Sequence, residues 1–183
     1  MKKFSVALTA SNFFGNDLKK IMIASGYVEE FVNSDEFERL VLNFSFIDSN
    51  DRVQRKFHFT DLPNQEVLAK ILSGSEVLSP DDDHEADIQV ELDNSWSRNV
   101  IGYTYPTTPW QWIYAKFFRN WSAEEIAGNL MHEWLHKIGF DHEFYYTYDR
   151  DYSVNYALGY ACSEFAKKVS KKSYFERFKN FFA

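Results

Sequence analysis

Ser122-Ala123-Glu124-Glu125-Ile126-Ala127-Gly128-Asn129-Leu130-Met131-His132-Glu133-Trp134-Leu135-His136-Lys137-Ile138-Gly139-Phe140-Asp141-His142 is the stretch on which the reading of this chain turns. Ser122 followed three residues later by Glu125 is the signature of a capping box, so a helix starts here. Ile126, Ala127, Leu130, Trp134 and Ile138 recur at helical spacing and turn one face towards a core. Gly139 stands where a left-handed residue ends the helix.

His132 and His136, four apart, lie about 40° from each other around the axis and one turn apart along it. Their imidazoles point the same way and can reach one ion. Glu133 lies about 100° round from His132, near the ion's open position without having to ligate it. A glycine bend is needed before His142, because a continued helix would carry that histidine away from the other two. Three imidazoles plus a water make a tetrahedral zinc site with one exchangeable position, the catalytic rather than the structural form. Three of the chain's five histidines fall within these last eleven residues. His58 and His84 are single histidines in polar surroundings and read as solvated side chains.

Working outward, Phe4 to Thr9 alternates as a first strand, although Met1-Lys2-Lys3 before it superficially resembles the start of a signal peptide. Asn16 or Asp17 caps a helix with Leu18, Ile21, Ser25, Val28 and Val32 on one face. Leu40, Leu42, Phe44 and Phe46 alternate as a strand, Asp48 to Asp51 turns, and Val53 to Phe59 returns as the other half of a hairpin. Pro63 opens a short helix that Gly74 closes. Ile88, Val90 and Leu92 mark a half-buried strand. Val100 to Tyr105, stopped by Pro106, is another, and Trp112 to Phe118 a third. Leu158, Cys162, Phe165 and Val169 place a closing helix over about 154 to 171.

Composition narrows the classes. With 183 residues, 45% of them apolar, and no linker or repeat, the chain reads as one domain over 1–183. A net charge of -7 argues against a nucleic-acid partner. The single cysteine, Cys162, excludes an intrachain disulfide framework and reads as an inert buried thiol. No apolar run approaches membrane-spanning length. Asp81 to Glu85 is read as a solvated acidic turn rather than a calcium site. The basic, Phe-rich segment from Lys167 to Ala183 could touch an anionic membrane, but docking on its own domain is favoured.

The block His132 to His142 matches, position by position, the extended zinc motif of the metzincin metallopeptidases. That resemblance implies an α+β, zincin-like fold: a twisted, mostly parallel sheet with an antiparallel edge strand, an active-site helix, and a small C-terminal subdomain with a closing helix. The lobes would be about 1–139 and 140–183. It implies a Zn2+ endopeptidase, with His132, His136 and His142 as ligands and Glu133 as catalytic acid/base. Val100 to Pro106 would be the edge strand that binds an extended protein or peptide substrate. A monomer is expected, and the resemblance also favours export.

Metzincins carry a methionine turn, and this chain has no Met after Met131. Val154 is the preferred occupant of that place, ahead of Asn155. It sets Tyr156 where several metzincins have a tyrosine near the metal, so Tyr156 is either catalytic or a core aromatic. Phe144, Tyr145, Tyr146, Tyr148 and Tyr152 either frame a specificity pocket or pack the lower lobe, and packing is expected for most. Two rival readings remain: a catalytically silent peptide- or protein-binding module, and a zinc amidase acting on a non-protein amide.

Overall fold

The structure, a computed structural model, describes residues 3–96 and 100–181, with side chains through Lys172. The elements run β1 (Ser5–Ser11), α1 (Asn16–Val32), α2 (Asp35–Leu42), β2 (Phe46–Ile47), β3 (Val53–Gln54), α3 (Asn64–Ser73) and β4 (Glu85–Asp93). They continue β5 (Gly102–Thr104), β6 (Trp110–Tyr114), α4 (Ala115–Asn120), α5 (Ala123–Lys137), a 3-10 turn (Arg150–Tyr152) and α6 (Val154–Phe181). It is an α+β chain with a mostly parallel sheet of four strands in the order β1-β4-β6-β5. β1 pairs parallel with β4, β4 parallel with β6, and β5 antiparallel with β6. Among the described residues, no helix is long and apolar enough to cross a membrane.

Alternation in β4 decides which side of the sheet is the core. Ala86, Ile88, Val90 and Leu92 are buried, and α1 and α5 pack against the sheet. Helix α5 presents Ile126, Leu130 and Trp134 to this core, all fully buried. Each such side chain contributes about 1.5–3 kcal/mol. The expected capping box is present: Glu125 N–H donates to Ser122 Oγ (3.3 Å), and Ser122 N–H donates to the Glu125 carboxylate (2.9 Å).

Several sequence expectations need correction. Leu40 and Leu42 belong to helix α2, not to a strand. Ser34 caps it by accepting from Phe37 N–H, three acidic residues favour its N-terminus, and Phe37 and Val41 are buried four apart. Those signals outweigh an alternation that also fits a strand. The hairpin shrinks to two pairs between β2 and β3, because Val53 is exposed and offers no apolar face to extend. Pro63 caps α3 rather than starting it. The strand expected over 112–118 is β6, which starts at Trp110 and ends at Tyr114; the chain then coils into α4, burying Ala115 and Phe118 three apart. The edge strand is shorter than Val100 to Tyr105, since the loop turns at Tyr105 and Pro106 has no N–H for pairing. Leu18, expected on the inner face of α1, is exposed, while Ile21, Ser25, Val28 and Val32 are buried as expected.

Helices α5 and α6 meet at two glycines. A Cβ at Gly128 would lie 2.6 Å from Gly159 O, and one at Gly159 would lie 2.9 Å from Gly128 O. This backbone-to-backbone crossing lays the start of α6 beneath His132. Cys162 is buried in the same interface, and burial pushes its thiol up, consistent with an inert thiol. The expectation that the basic segment docks on the domain concerns side chains that lie mostly outside the described residues.

A buried carboxyl ties α5 to the sheet. Glu76 Oε1 accepts from Trp134 Nε1 (2.7 Å) and from Asp87 N–H (3.0 Å). Burial raises the Glu76 carboxyl above its ordinary value of 4.5, although both hydrogen bonds favour the carboxylate. Folding therefore takes up a proton at this site. The associated stability is complete below the ordinary value and declines as pH rises through the folded-state value. Glu76→Gln keeps the accepting oxygen and removes the titration. Urea unfolding of this variant should show a flatter loss of stability from about pH 4.5 to neutrality. An unchanged slope would assign the pH dependence elsewhere, first to Asp87, which burial also raises.

Candidate metal centre

The end of α5 builds the site. Lys137 is its last residue, Ile138 caps it, and Gly139 follows with φ +88°. Gly139 N–H donates to His136 O (3.1 Å) and Phe140 N–H to Leu135 O (3.0 Å), the paired bonds of a Schellman motif. The reversal returns Phe140 O to within 2.9 Å of His136 Nδ1 and swings His142 back over the helix. A left-handed residue is what this turn requires, and glycine adopts it without a Cβ penalty.

His132, His136 and His142 form one cluster, with ligand atoms all within 4.8 Å of one another. Their ring centroids stand 5.3, 5.0 and 4.9 Å apart, close to an equilateral triangle. His136 Nδ1 faces Phe140 O, and His142 Nδ1 faces Glu143 O at 2.9 Å. A carbonyl only accepts, so each Nδ1 carries the proton and each Nε2 is left with its lone pair. His132 Nε2 lies 3.1 Å from His142 Nε2. Two nitrogens bound to one tetrahedral zinc at about 2.05 Å are about 3.3 Å apart, so this donor set fits such an ion. Burial, reinforced by the neighbouring imidazoles, lowers His132 well below its usual range and His136 to about 4. Both are neutral at physiological pH, as ligation requires.

Compared with protein-family models, with curated proteins and with solved structures, the chain matches none. Three histidines close enough to hold a metal ion are what the fold establishes.

Glu133 lines the same cleft and is buried. Burial pushes its carboxyl up to about 8, against Lys137 and a hydrogen bond from Asn129, which favour the carboxylate. A cation on the three imidazoles acts in the same direction as Lys137. Tyr156, on the first turn of α6, sets its ring 4.5 Å from that of His132 and 4.7 Å from that of His142. The Arg150 guanidinium lies 4.4 Å over the same ring. Burial raises the Tyr156 hydroxyl, Arg150 lowers it, and Glu133 raises it, so hydroxyl and carboxyl share one electrostatic environment.

Next to Tyr156, Val154 is buried in the core. Asn155, also buried, donates to His132 O (3.2 Å) and Phe140 O (3.5 Å), so the asparagine is what braces the ligand-bearing backbone from below. Sequence reasoning weighed Asn155 only as an alternative to Val154. Nothing in its sequence context marks a hydrogen bond across 23 residues.

The cleft measures about 1380 Å³, and residues of β5 and Phe144 are among those that line it. Among the described residues β5 pairs only with β6, leaving its other edge open to the cleft. Phe144, Tyr145, Tyr146 and Tyr148 are 83%, 79%, 71% and 55% exposed, so the expectation that most of this loop packs the lower lobe is wrong for these four. Tyr152 alone does pack, stacked on Phe46 at 4.4 Å. His58 and His84 stand apart from the cluster and are not freely solvated. His58 N–H donates to Tyr152 O and its ring lies against Phe46 and Phe59, while His84 Nδ1 meets Leu72 O at 2.7 Å.

Proposed function

We propose that this chain is a zinc-dependent endopeptidase of metzincin type, with a zincin-like fold. The observation that carries this reading is the convergence of three imidazole nitrogens beside a buried carboxyl, in a cleft bordered by an unpaired strand edge. His132, His136 and His142 would hold the zinc, which would supply a Lewis acid able to activate water near neutral pH.

The remaining steps belong to the protein. Glu133 takes the proton of the attacking water and delivers it to the departing amine. Burial raises this carboxyl, while Lys137 and a cation on the three imidazoles would lower it, so the carboxylate that must accept the proton is favoured once metal is bound. The Tyr156 hydroxyl donates to the carbonyl oxygen as negative charge gathers there. β5 receives the substrate as an added strand, so main-chain bonds supply affinity and the bordering pockets supply selectivity. Exposed Phe144, one residue beyond Glu143 and lining the same cleft as β5, is placed to contact a substrate side chain.

Zinc analysis combined with a quenched-peptide assay, with and without a chelator, tests the reading. Chelator-sensitive cleavage of peptides is the expected result. Bound zinc without turnover would instead indicate a silent binding module, and turnover restricted to non-protein amides an amidase. Tyr156→Phe should lower kcat by about 10²-fold with metal content unchanged. An unaltered kcat would reduce Tyr156 to an aromatic that packs on the ligands.

A further inference from the structure

Lys137 lies one helical turn beyond Glu133, and its side chain is only 7% exposed. Its ammonium donates to three backbone carbonyls: Tyr105 O (3.1 Å), Thr108 O (2.5 Å) and Trp110 O (2.9 Å). All three acceptors belong to one segment, the loop that leaves β5 and enters β6. An ammonium has three donors, so the set is complete.

Burying such a charge costs several kcal/mol unless its bonds are made. Here the hydrogen bonds all go to backbone, so what offsets burial depends on the position of the loop as well as on the Glu133 charge one turn back. The loop has few other means of holding itself. Pro106 and Pro109 have no N–H to donate. Its short-range bonds are Thr108 N–H to Tyr105 O (3.3 Å) and Trp110 N–H to Thr108 Oγ1 (3.2 Å), both long, and Thr104 Oγ1 to Trp110 O (2.9 Å), which closes only its base. The lysine therefore joins the helix that carries His132, Glu133 and His136 to the loop at the end of the edge strand β5.

We propose that Lys137 is a positioning residue, latching the β5–β6 loop to α5 and so fixing where an extended substrate lies relative to Glu133. The role in substrate placement rests on the peptidase reading; the latch itself does not.

The test replaces Lys137 by methionine, which fills similar volume without the donors, and reads two independent quantities in the full chain. Amide hydrogen exchange over 102–110 should quicken about tenfold, as expected when charge-assisted bonds to one segment are lost, with β1 and β4 unchanged. In the zinc-loaded protein, KM for an extended peptide should rise about tenfold with zinc content unchanged, and kcat is read in Lys137→Arg, which keeps the charge beside Glu133 and should stay within about threefold. Lys137→Arg guards against a methionine variant that fails to fold. It keeps the charge but puts a planar fork where a point donor fits, so the same shifts should appear at about threefold.

Exchange that is unaltered over 102–110, or that rises equally across the whole sheet, would overturn the latch. In Lys137→Arg, a fall in kcat with KM unchanged would overturn the role in substrate placement. If the zinc-loaded wild type cleaves no peptide, the peptidase reading has failed, and the exchange result alone still decides the latch.

Discussion

Glu133→Ala is expected to slow peptide cleavage by about 10²–10⁴-fold, the range for losing a general acid–base group, equivalent to about 2.7–5.4 kcal/mol of transition-state stabilisation. Zinc content should stay at that of the wild type, because the three nitrogens of the cluster come from His132, His136 and His142. The carboxyl is buried one residue from the first of these and touches the cleft without belonging to the cluster. The loss should fall on kcat rather than KM, since a proton is moved only in the reaction itself. Metal analysis and steady-state kinetics on one preparation separate the two roles. A variant that loses its metal, or one that keeps full activity, would remove Glu133 from the mechanism.

His136→Ala should act at the earlier step and abolish stoichiometric metal binding. Its Nδ1 is committed to Phe140 O, so its Nε2 is oriented, and removing it leaves two of the cluster's three nitrogens. Metal that binds only the folded state stabilises it by about 4.1 kcal/mol at a thousandfold excess over Kd. For a domain of this size that is a rise in Tm of about 8–16 °C. The wild type should show this rise on adding zinc and lose it with a chelator, and the variant should show neither. Undiminished zinc content in the variant would mean that the ion sits elsewhere.

The two results together isolate the geometry: one variant keeps the metal and loses chemistry, and the other loses both. Losses in the opposite pattern could not be reconciled with three imidazoles and a separate base.

Much of this site was legible in one segment because its geometry is local. Ser122 and Glu125 start α5, four-residue spacing aligns His132 with His136, and Gly139 makes the reversal that returns His142. Each of these depends on residues within a turn or two of one another. The alternation in β4 was legible for the same reason. Where two local periods competed, as over 34–46 and 112–118, the outcome followed from which face found a core. Ala115 and Phe118 are buried three apart, a spacing that a strand would have split between two faces. Phe37 and Val41, four apart, fit either period, and there the Ser34 cap and the acidic first turn favour the helix.

The sequence by itself determined the three-histidine cluster, the carboxyl beside it and the helix that presents them, since backbone propensity and side-chain spacing act over a few residues. Only the tertiary structure decided what surrounds them. Asn155 and Tyr156 reach His132 because Gly128 and Gly159 let two helices touch backbone to backbone. Lys137 finds its three carbonyls on a loop 27 to 32 residues away. The aromatics after His142 stand open to solvent because the core is filled by other elements. Contacts of this kind are set by packing between distant segments, for which no local pattern in the chain carries a signal.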